Sequence, residues 1–475
     1  MATQIGPKRG LSLFDSTCII VGIIIGAGIY QTVPGVTGGV SNAAAWLHAH
    51  VGGLSLEACR WLCVLGIWGV GGLLSLFGAL GYAELASAFP REGGDYVYLT
   101  RAYGRWAGYL FGWTQLTIVR PGDIGAMAFA FATYGAAMWN PFGQSDQQLA
   151  VAYKVYAGAA VIILTLINVI GVRQGKWTQN ILTVVKALGL VAIAGVALKA
   201  GKNYPQVKFA GGLPISVAMI MVLFTFGGWN EMAYVAAEVK NPRRNIVRAL
   251  LLGTVAVTFL YLLVNVAFLY VLGYEGVATS GAVATDCVSS VLRANAGKFI
   301  AALVCISALG AVNGLIFTGA RITYAMGAEH IAFRPLGRWG VRGQTPTVAL
   351  ILQGCIALGV IILLGSFLNA LIYTAVAVYS FYLATSIGLI VLRFKQPDAE
   401  RPYRVLGYPL TTIIFCCVCA YLIYSSIKYA YDPYAAFPMW YGVPKCFVIL
   451  VIALLVGVII YLLTERRDSQ KGSSA

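Results

Sequence analysis

Residues 22–35 read GIIIGAGIYQTVPG, and residues 224–230 read FTFGGWN. Each stretch lies inside a long apolar run, 11–38 or 213–239, and each carries glycines at its centre: Gly26-Ala27-Gly28 in the first, Gly227-Gly228 about 200 residues later. Glycine in a helix interior costs roughly 1 kcal/mol relative to alanine, so both places are expected to interrupt a helix. In hydrocarbon an interrupted helix survives only where its freed N–H and C=O groups are buried in protein or line a cavity. Two interruptions at matching places in two halves of one chain point to a membrane carrier that holds its cargo between them.

Composition supports that class. Of 475 residues, 59% are hydrophobic and only 11% charged, against about 45–50% apolar and about 25% charged in soluble domains. Apolar runs long enough to cross about 30 Å of hydrocarbon fall near 11–38, 61–89, 104–137, 151–171, 179–199, 213–239, 247–273, 297–326, 346–365, 369–393, 409–430 and 443–464. The fold expected is an all-α membrane protein of twelve transmembrane helices. The first run follows Lys8 and Arg9 and continues past Tyr30 without a small-residue cleavage site, so it is expected to stay in the mature chain. An even number of spans puts both termini on one side. If that side is the cytoplasm, its loops and tails hold 21 of the 33 Lys and Arg, in keeping with the positive-inside rule, although Lys199, Lys202 and Lys208 of one outer loop run against it.

The net charge of +16 is spread over short inner loops, with no basic stripe interleaved with aromatics. It reads as topology and attraction to anionic membrane lipid, not as a nucleic-acid surface. Most of the ten cysteines lie in apolar runs, and the cluster Cys416, Cys417, Cys419 lacks His or carboxylate neighbours, so these are small packing residues. Cys59 and Cys287 fall in expected outer loops and are open to pairing. His48 and His50 sit in a long insertion, residues 37–60, expected to cap the outer vestibule; two imidazoles without further ligands do not make a metal site. No cofactor is expected. An enzyme is not expected either, since there is no HExxH motif and Asp95 has no second membrane aspartate placed for a dyad. A channel's ring of charges or carbonyls is likewise missing.

Three ionisable residues fall deep in apolar runs: Arg120, Asp123 and Lys186, with Glu231 close behind and Glu84, Glu238 and Arg321 nearer span ends. A charge at such depth costs several kcal/mol unless paired or facing water, which makes each a functional candidate. Arg120 and Asp123, three apart, have the spacing of a neutralising pair along one helix face; the alternative is that Asp123 touches cargo. Lys186 has no acidic residue within two turns, so its partners must come from another span, most simply the carbonyls released near Gly26-Ala27-Gly28. A fixed ammonium there would do the work of a sodium ion; a neutral amine exchanging protons with the cytoplasm and a purely structural lysine are the alternatives.

These residues carry a resemblance. GIIIGAGIYQTVPG (22–35) is similar to the first span of the amino acid-polyamine-organocation superfamily, and FTFGGWN (224–230) with EVKNPRRN (238–245) is similar to the sixth span of its L-type amino acid transporter branch. YAEL (82–85), GGDY (93–96), IVRP (118–121), VNGLIFTGAR (312–321) and RPYRV (401–405) match the same branch, so the likeness runs from about residue 11 to 464. It implies a five-plus-five inverted repeat: a cytoplasmic segment 1–10, spans 1–5 within 11–199, spans 6–10 within 213–393, two accessory spans within 409–464, and a cytoplasmic tail 465–475. It also implies sodium-independent alternating access for an L-amino acid, by exchange, with neutral side chains favoured, cationic ones second and a proton-coupled symporter a further alternative. A membrane amino acid sensor on the same fold is the reading from a different class.

A zwitterion held this way needs donors for its carboxylate, expected from the N–H groups of Gly26, Ala27, Gly28 and Ile29 at a helix start. It needs acceptors for its ammonium, expected from carbonyls of Ile24, Ile25, Phe224, Phe226 and Gly227. The resemblance makes Phe224 the gating aromatic and Lys186 the bridge between first and eighth spans, and puts Gly228, Trp229, Asn230 and Asn313 near the substrate. Asp123 and Glu231 depart from the branch's pattern: either both carboxylates favour a cationic side chain, or Arg120 cancels Asp123 and Glu231 serves the inner gate. Residues 138–150 contain no cysteine, whereas animal relatives use one there to link a heavy chain. A chain without a disulfide-linked heavy chain, monomeric or weakly homo-oligomeric, in a bacterial inner membrane, is expected.

Overall fold

With no water to bond its backbone, a membrane span closes its hydrogen bonds within itself, and helices do this at least cost. The computed structural model describes residues 9–143, 145–202, 212–292, 295–340, 343–364, 367–431, 439–440 and 443–472. Lys208 of the outer-loop basic cluster lies outside these residues, as do residues 1–8 of the N-terminal segment and 473–475 of the tail. The first half of the chain runs α1 (Leu13–Ile24), α2 (Gly28–Gln31), α3 (Val33–Gly39), α4 (Ser41–His50), α5 (Leu56–Ala88), α6 (Asp95–Tyr103), α7 (Arg105–Thr114), α8 (Arg120–Met138), α9 (Asp146–Ile170) and α10 (Val172–Ala200). The second half runs α11 (Ile215–Thr225), α12 (Pro242–Thr279), α13 (Val283–Leu292), α14 (Ala296–Glu329), α15 (Thr347–Leu364), α16 (Phe367–Lys395), α17 (Leu410–Ala430) and α18 (Lys445–Gly472). A π turn, Gln115–Val119, joins α7 to α8, a 3-10 stretch, Glu231–Glu238, follows α11, and a small ribbon pairs Met439–Trp440 with Val443–Pro444.

Every apolar run read from the sequence falls on one of these helices or on a broken pair of them. Among the described residues nine helical segments are long and apolar enough to cross a bilayer, the broken α1–α2 pair counted as one, and α11 and α15 are shorter apolar helices. The chain is a multi-pass membrane protein. Outward-facing stripes such as Ile163, Leu166 and Ile170 on α9, and Leu455, Ile459 and Leu463 on α18, are exposed at helical spacing and suit acyl chains. In contrast α1 is enclosed, packed by α10, α12 and α14. Its start is fixed by a capping box in which Ser12 and Asp15 exchange bonds with each other's N–H.

Buried ion pairs tie the ends of the spans. Glu84 near the end of α5 takes Arg393 of α16 at 2.5 Å, Arg401 at 3.3 Å and the Val405 N–H at 2.8 Å, so RPYRV clamps the approach to α17 onto α5 and α16. Arg321 of α14, fully buried, pairs with Glu238 at 2.7 Å. The Glu238 carbonyl in turn accepts the N–H groups of Gly10 and Leu11, each at 2.9 Å.

Two expectations are corrected here. The 37–60 insertion is not an open loop: α3 and α4 take up most of it, and α5 begins behind an Ser55 cap, with the Nδ1 of His48 on the Leu54 carbonyl and that of His50 on the Trp46 carbonyl. Cys59 and Cys287 lie within helices α5 and α13, not in loops, and both are free and buried. The Cys287 thiol donates to the Phe268 carbonyl at 4.0 Å.

Removing one member of a buried pair strands the other charge at a cost of about 3–5 kcal/mol. Arg321→Met is therefore expected to lower the thermal stability of the detergent-solubilised protein sharply. Arg243→Met, whose pair with Glu400 is 60% and 68% exposed, should change it little; equal losses would refute the argument.

Candidate functional site

The backbone breaks where the glycines lie. α1 ends at Ile24, Ile25 caps it with ψ 71, and α2 begins at Gly28. α11 ends at Thr225 and residues 226–230 turn, with Gly228 at φ 111, a conformation side chains avoid. The two interruptions touch. A Cβ on Gly228 would sit 2.6 Å from Ile23, and one on Gly28 would sit 3.1 Å from Thr225, so glycine is needed at the first place both for its dihedral and for the approach of the other segment.

Between the breaks lies a cavity of about 100 Å³, several times the room a single water needs. Of the residues expected at the site, Ile24, Gly26, Gly28, Arg120, Asp123, Phe224, Gly227, Gly228, Asn230 and Glu231 line it. Phe224 is a half-buried wall residue. By helix geometry the N–H groups at the start of α2 lack intrahelical partners, and no backbone acceptor engages those of Ala27, Gly28 and Ile29 among the described residues.

Other expected residues do not line the cavity. Phe226 is fully buried against Trp68 and Tyr261, with ring centroids 6.1 and 5.1 Å away. Trp229 packs on Tyr82, Tyr382 and Phe415. Asn313 bonds with Asn168, Gln179 and the Gly175 carbonyl, behind α1. Ile25, Ala27 and Ile29 are buried in the core. The turn carries the Phe226 and Trp229 side chains to the far side of the chain, whereas Asn313 lies within the continuous α14 and faces α9 and α10.

The carbonyls expected for an ammonium are largely taken. Tyr261 of α12 donates to the Ile24 carbonyl at 2.8 Å and to the Thr225 carbonyl at 3.3 Å, so one hydroxyl spans both breaks. Ser307 of α14 donates to the carbonyls of Ile25 at 2.9 Å and Gly26 at 3.1 Å. The Gly227 N–H takes the Phe224 carbonyl at 2.8 Å, closing a tight turn. Lys186, fully buried on α10, donates to the Gly22 carbonyl of α1 and to the Ser307 carbonyl at 3.3 Å. Its partner on α1 lies one turn before the break, not at it, and the ammonium joins α1 to α14. Below it α10 continues to grip α1: Thr183 donates to the Cys18 carbonyl at 2.9 Å, and Asn180 and Lys176 reach Asp15 at 2.7 and 3.2 Å.

The charges pair differently from the local spacing. Arg120 reaches across the cavity to Glu231 at 2.8 Å, with its Nε on Gln115 at 3.1 Å and its guanidinium 5.0 Å from the Tyr234 ring centre. Glu231 also accepts from Thr318 at 2.6 Å. Asp123 instead accepts from Thr374. Formally the wall holds one guanidinium and two carboxylates, leaving one negative charge over. Sequence reasoning missed Gln115, Tyr234, Thr374 and Tyr382 on this wall; they are polar residues without a motif, and only tertiary packing brings them together.

The chain belongs to the amino acid permease family, whose model matches residues 11–454. It is 32% identical over 430 residues to the b(0,+)-type amino acid transporter 1 of Mus musculus, covering 88% of this chain and 83% of that one. It is 30% identical over 427 residues to the Asc-type amino acid transporter 1 of Homo sapiens, covering 87% and 77%. To the serine/threonine exchanger SteT of Bacillus subtilis it is 29% identical over 416 residues, covering 86% and 89%.

Gly228→Ala combines an unfavourable dihedral with a clash against Ile23. It is expected to abolish ligand-induced thermal stabilisation while Gly66→Ala, in open space on α5, leaves it intact. Equal behaviour of the two would show that the contact between the breaks does not shape the cavity.

Proposed function

We propose that the chain carries L-amino acids across the membrane by alternating access, gripping the carboxylate and ammonium common to all of them at the two breaks. The observation that carries this reading is the cavity between the interruptions, walled in part by Gly28 at a helix start where, among the described residues, no backbone acceptor engages the N–H groups of Ala27, Gly28 and Ile29. Such a helix start favours an anion, and relatives named as amino acid transporters support the cargo class. The twelve-span, five-plus-five architecture, with both termini in the cytoplasm of an inner membrane, goes with this reading. So does function without a disulfide-linked heavy chain.

Sodium independence follows from Lys186, whose ammonium occupies the space between α1 and α14 that a bridging cation would need. Lys186→Ala is expected to reduce amino acid flux in proteoliposomes by at least about tenfold, since a buried carbonyl loses its partner. Unaltered kinetics would remove Lys186 from the mechanism.

Exchange is the mode proposed, tested by uptake into proteoliposomes preloaded or not with amino acid; loss of trans-stimulation would argue for net uptake. A protein that binds amino acids and never moves them would be a sensor. Neutral side chains are ranked first. A cationic side chain is the second reading, favoured by the carboxylate of Asp123 left over after Arg120 pairs with Glu231. Under that reading Asp123→Ser shifts a competition panel away from arginine, ornithine and lysine; under the first it leaves the ranking unchanged.

A further inference from the structure

Asp95 opens α6, outside the apolar spans, and is 1% exposed. Its position depends on Gly93 and Gly94 at φ 97 and 48: a Cβ on Gly94 would lie 2.7 Å from the Tyr234 ring, so only glycine lets the chain press so closely on the segment after the second break. Three hydroxyls from three elements converge on the carboxylate. Tyr82 of α5 and Thr385 of α16 donate to one oxygen, and Tyr234 of the 3-10 stretch donates to the other at 2.7 Å. Asn230 donates to that Tyr234 hydroxyl at 2.7 Å and accepts from Tyr382 at 3.1 Å. Asn230, Tyr234 and Tyr382 line the cavity, so Asp95 ends a hydrogen-bonded chain that begins there.

The partners distinguish Asp95 from other buried carboxylates. Glu84, Glu231 and Glu238 face guanidinium groups and Asp15 faces Lys176, donors that never accept and that hold the anion. Asp95 takes part in none of the ion pairs among the described residues. A hydroxyl both donates and accepts. When the carboxylate gains a proton, a hydroxyl such as that of Thr385 can turn to accept it, and the site stays satisfied in either state. The titratable groups around it are Tyr82 of α5, Tyr234 and Glu231 of the 3-10 stretch, Tyr382 of α16 and Tyr98 of its own helix. On α14 Glu329 engages Tyr96, and Arg105 of α7 is bonded to the Glu329 carbonyl; Arg393 and Lys395 of α16 are held by Glu84 and the Ala102 carbonyl. Burial, opposed by the three hydroxyls, pushes the carboxyl up to about 6.

We propose that Asp95 is a proton-binding site of the carrier, and that the amino acid-loaded protein crosses between its outward and inward forms only while Asp95 holds a proton. This rests on the transport reading above. The proton arrives from the cavity by way of the Tyr234 hydroxyl, which lines it; that hydroxyl gives its own proton to the Asp95 carboxylate and takes another from the cavity side, leaving an uncharged acid while Asn230 and Tyr382 hold the hydroxyl in place. That removes from the junction of α5, α16 and the 3-10 stretch a charge that no ion pair among the described residues offsets, and these are the segments that part for the cavity to open on that side.

The test is amino acid exchange in proteoliposomes with internal and external pH kept equal and varied from about 5 to 8. A carboxyl that must be protonated gives exchange that is full below its pKa and falls up to about tenfold per pH unit above it. Wild-type exchange is expected to fall as pH rises past about 6, and Asp95→Asn, which mimics the neutral acid, to be flat across the range. A flat wild-type profile, an unchanged profile in Asp95→Asn, or an Asp95→Asn protein that binds amino acid without moving it overturns the proposal. If Asp95→Asn does not reach the membrane, Thr385→Val replaces it. Loss of one donor to the anion raises the midpoint, and an unmoved midpoint overturns the proposal. A wild-type protein that moves no amino acid at any pH would instead overturn the transport reading itself.

Discussion

A peptide group exposed in the middle of a bilayer has to find a partner inside the protein, and this requirement organises the molecule. Breaking α1 and the α11 segment frees several carbonyls and N–H groups at once. Most carbonyls are met by side chains from other helices: Tyr261 serves Ile24 and Thr225, Ser307 serves Ile25 and Gly26, and Lys186 serves Gly22. Those donors sit on α12, α14 and α10, the helices that pack around α1. The N–H groups at the start of α2 are met by no backbone acceptor among the described residues, and Gly28 there lines the cavity.

Charge follows the same economy of partners. Buried guanidinium groups are matched with carboxylates, Arg321 with Glu238 and Arg120 with Glu231, while Glu84 draws two arginines. Carboxylates that take part in no ion pair among the described residues, Asp123 and Asp95, sit on the cavity wall and at the end of a hydrogen-bonded chain leading from it, Asp123 still feeling the Arg120 charge. An ion pair is a fixed strut, whereas a carboxylate surrounded by hydroxyls can respond to a ligand or a proton. The division between paired and hydroxyl-bound acids thus separates scaffold from working surface.

Much of this was legible beforehand because the signals were strong and local. Long apolar runs mark spans, glycine clusters inside them mark breaks, and a lysine with no nearby acid must cross to other helices, as Lys186 does. What escaped was whatever depends on rotation or distance. The spacing of Arg120 and Asp123 left open a pair or a carboxylate facing cargo; the guanidinium bonds to Glu231, 111 residues on, because the second break brings that carboxylate across the cavity. Phe226 and Trp229 lie beside the right motif but face away from the cavity, since periodicity cannot be followed through a non-helical turn; Asn313, inside the continuous α14, is instead held by Asn168 and Gln179. Tyr261 and Ser307 gave no sign that they would claim the carbonyls assigned to cargo. The helices in the 37–60 insertion were hidden by its short, glycine-punctuated composition.

The seam between α10 and α1 has a regular pitch. Asp15, Cys18 and Gly22 on one helix meet Lys176 with Asn180, then Thr183, then Lys186 on the other, one rung for each turn. Spinning α1 about its own axis would tear every rung together. Tilting it outward from its Asp15 end releases them in sequence, like a zip drawn from the bottom, with the lysine ammonium as the final stop. The seam therefore offers far more resistance to a twist or slide of α1, which would part all its contacts together, than to a tilt that parts them singly.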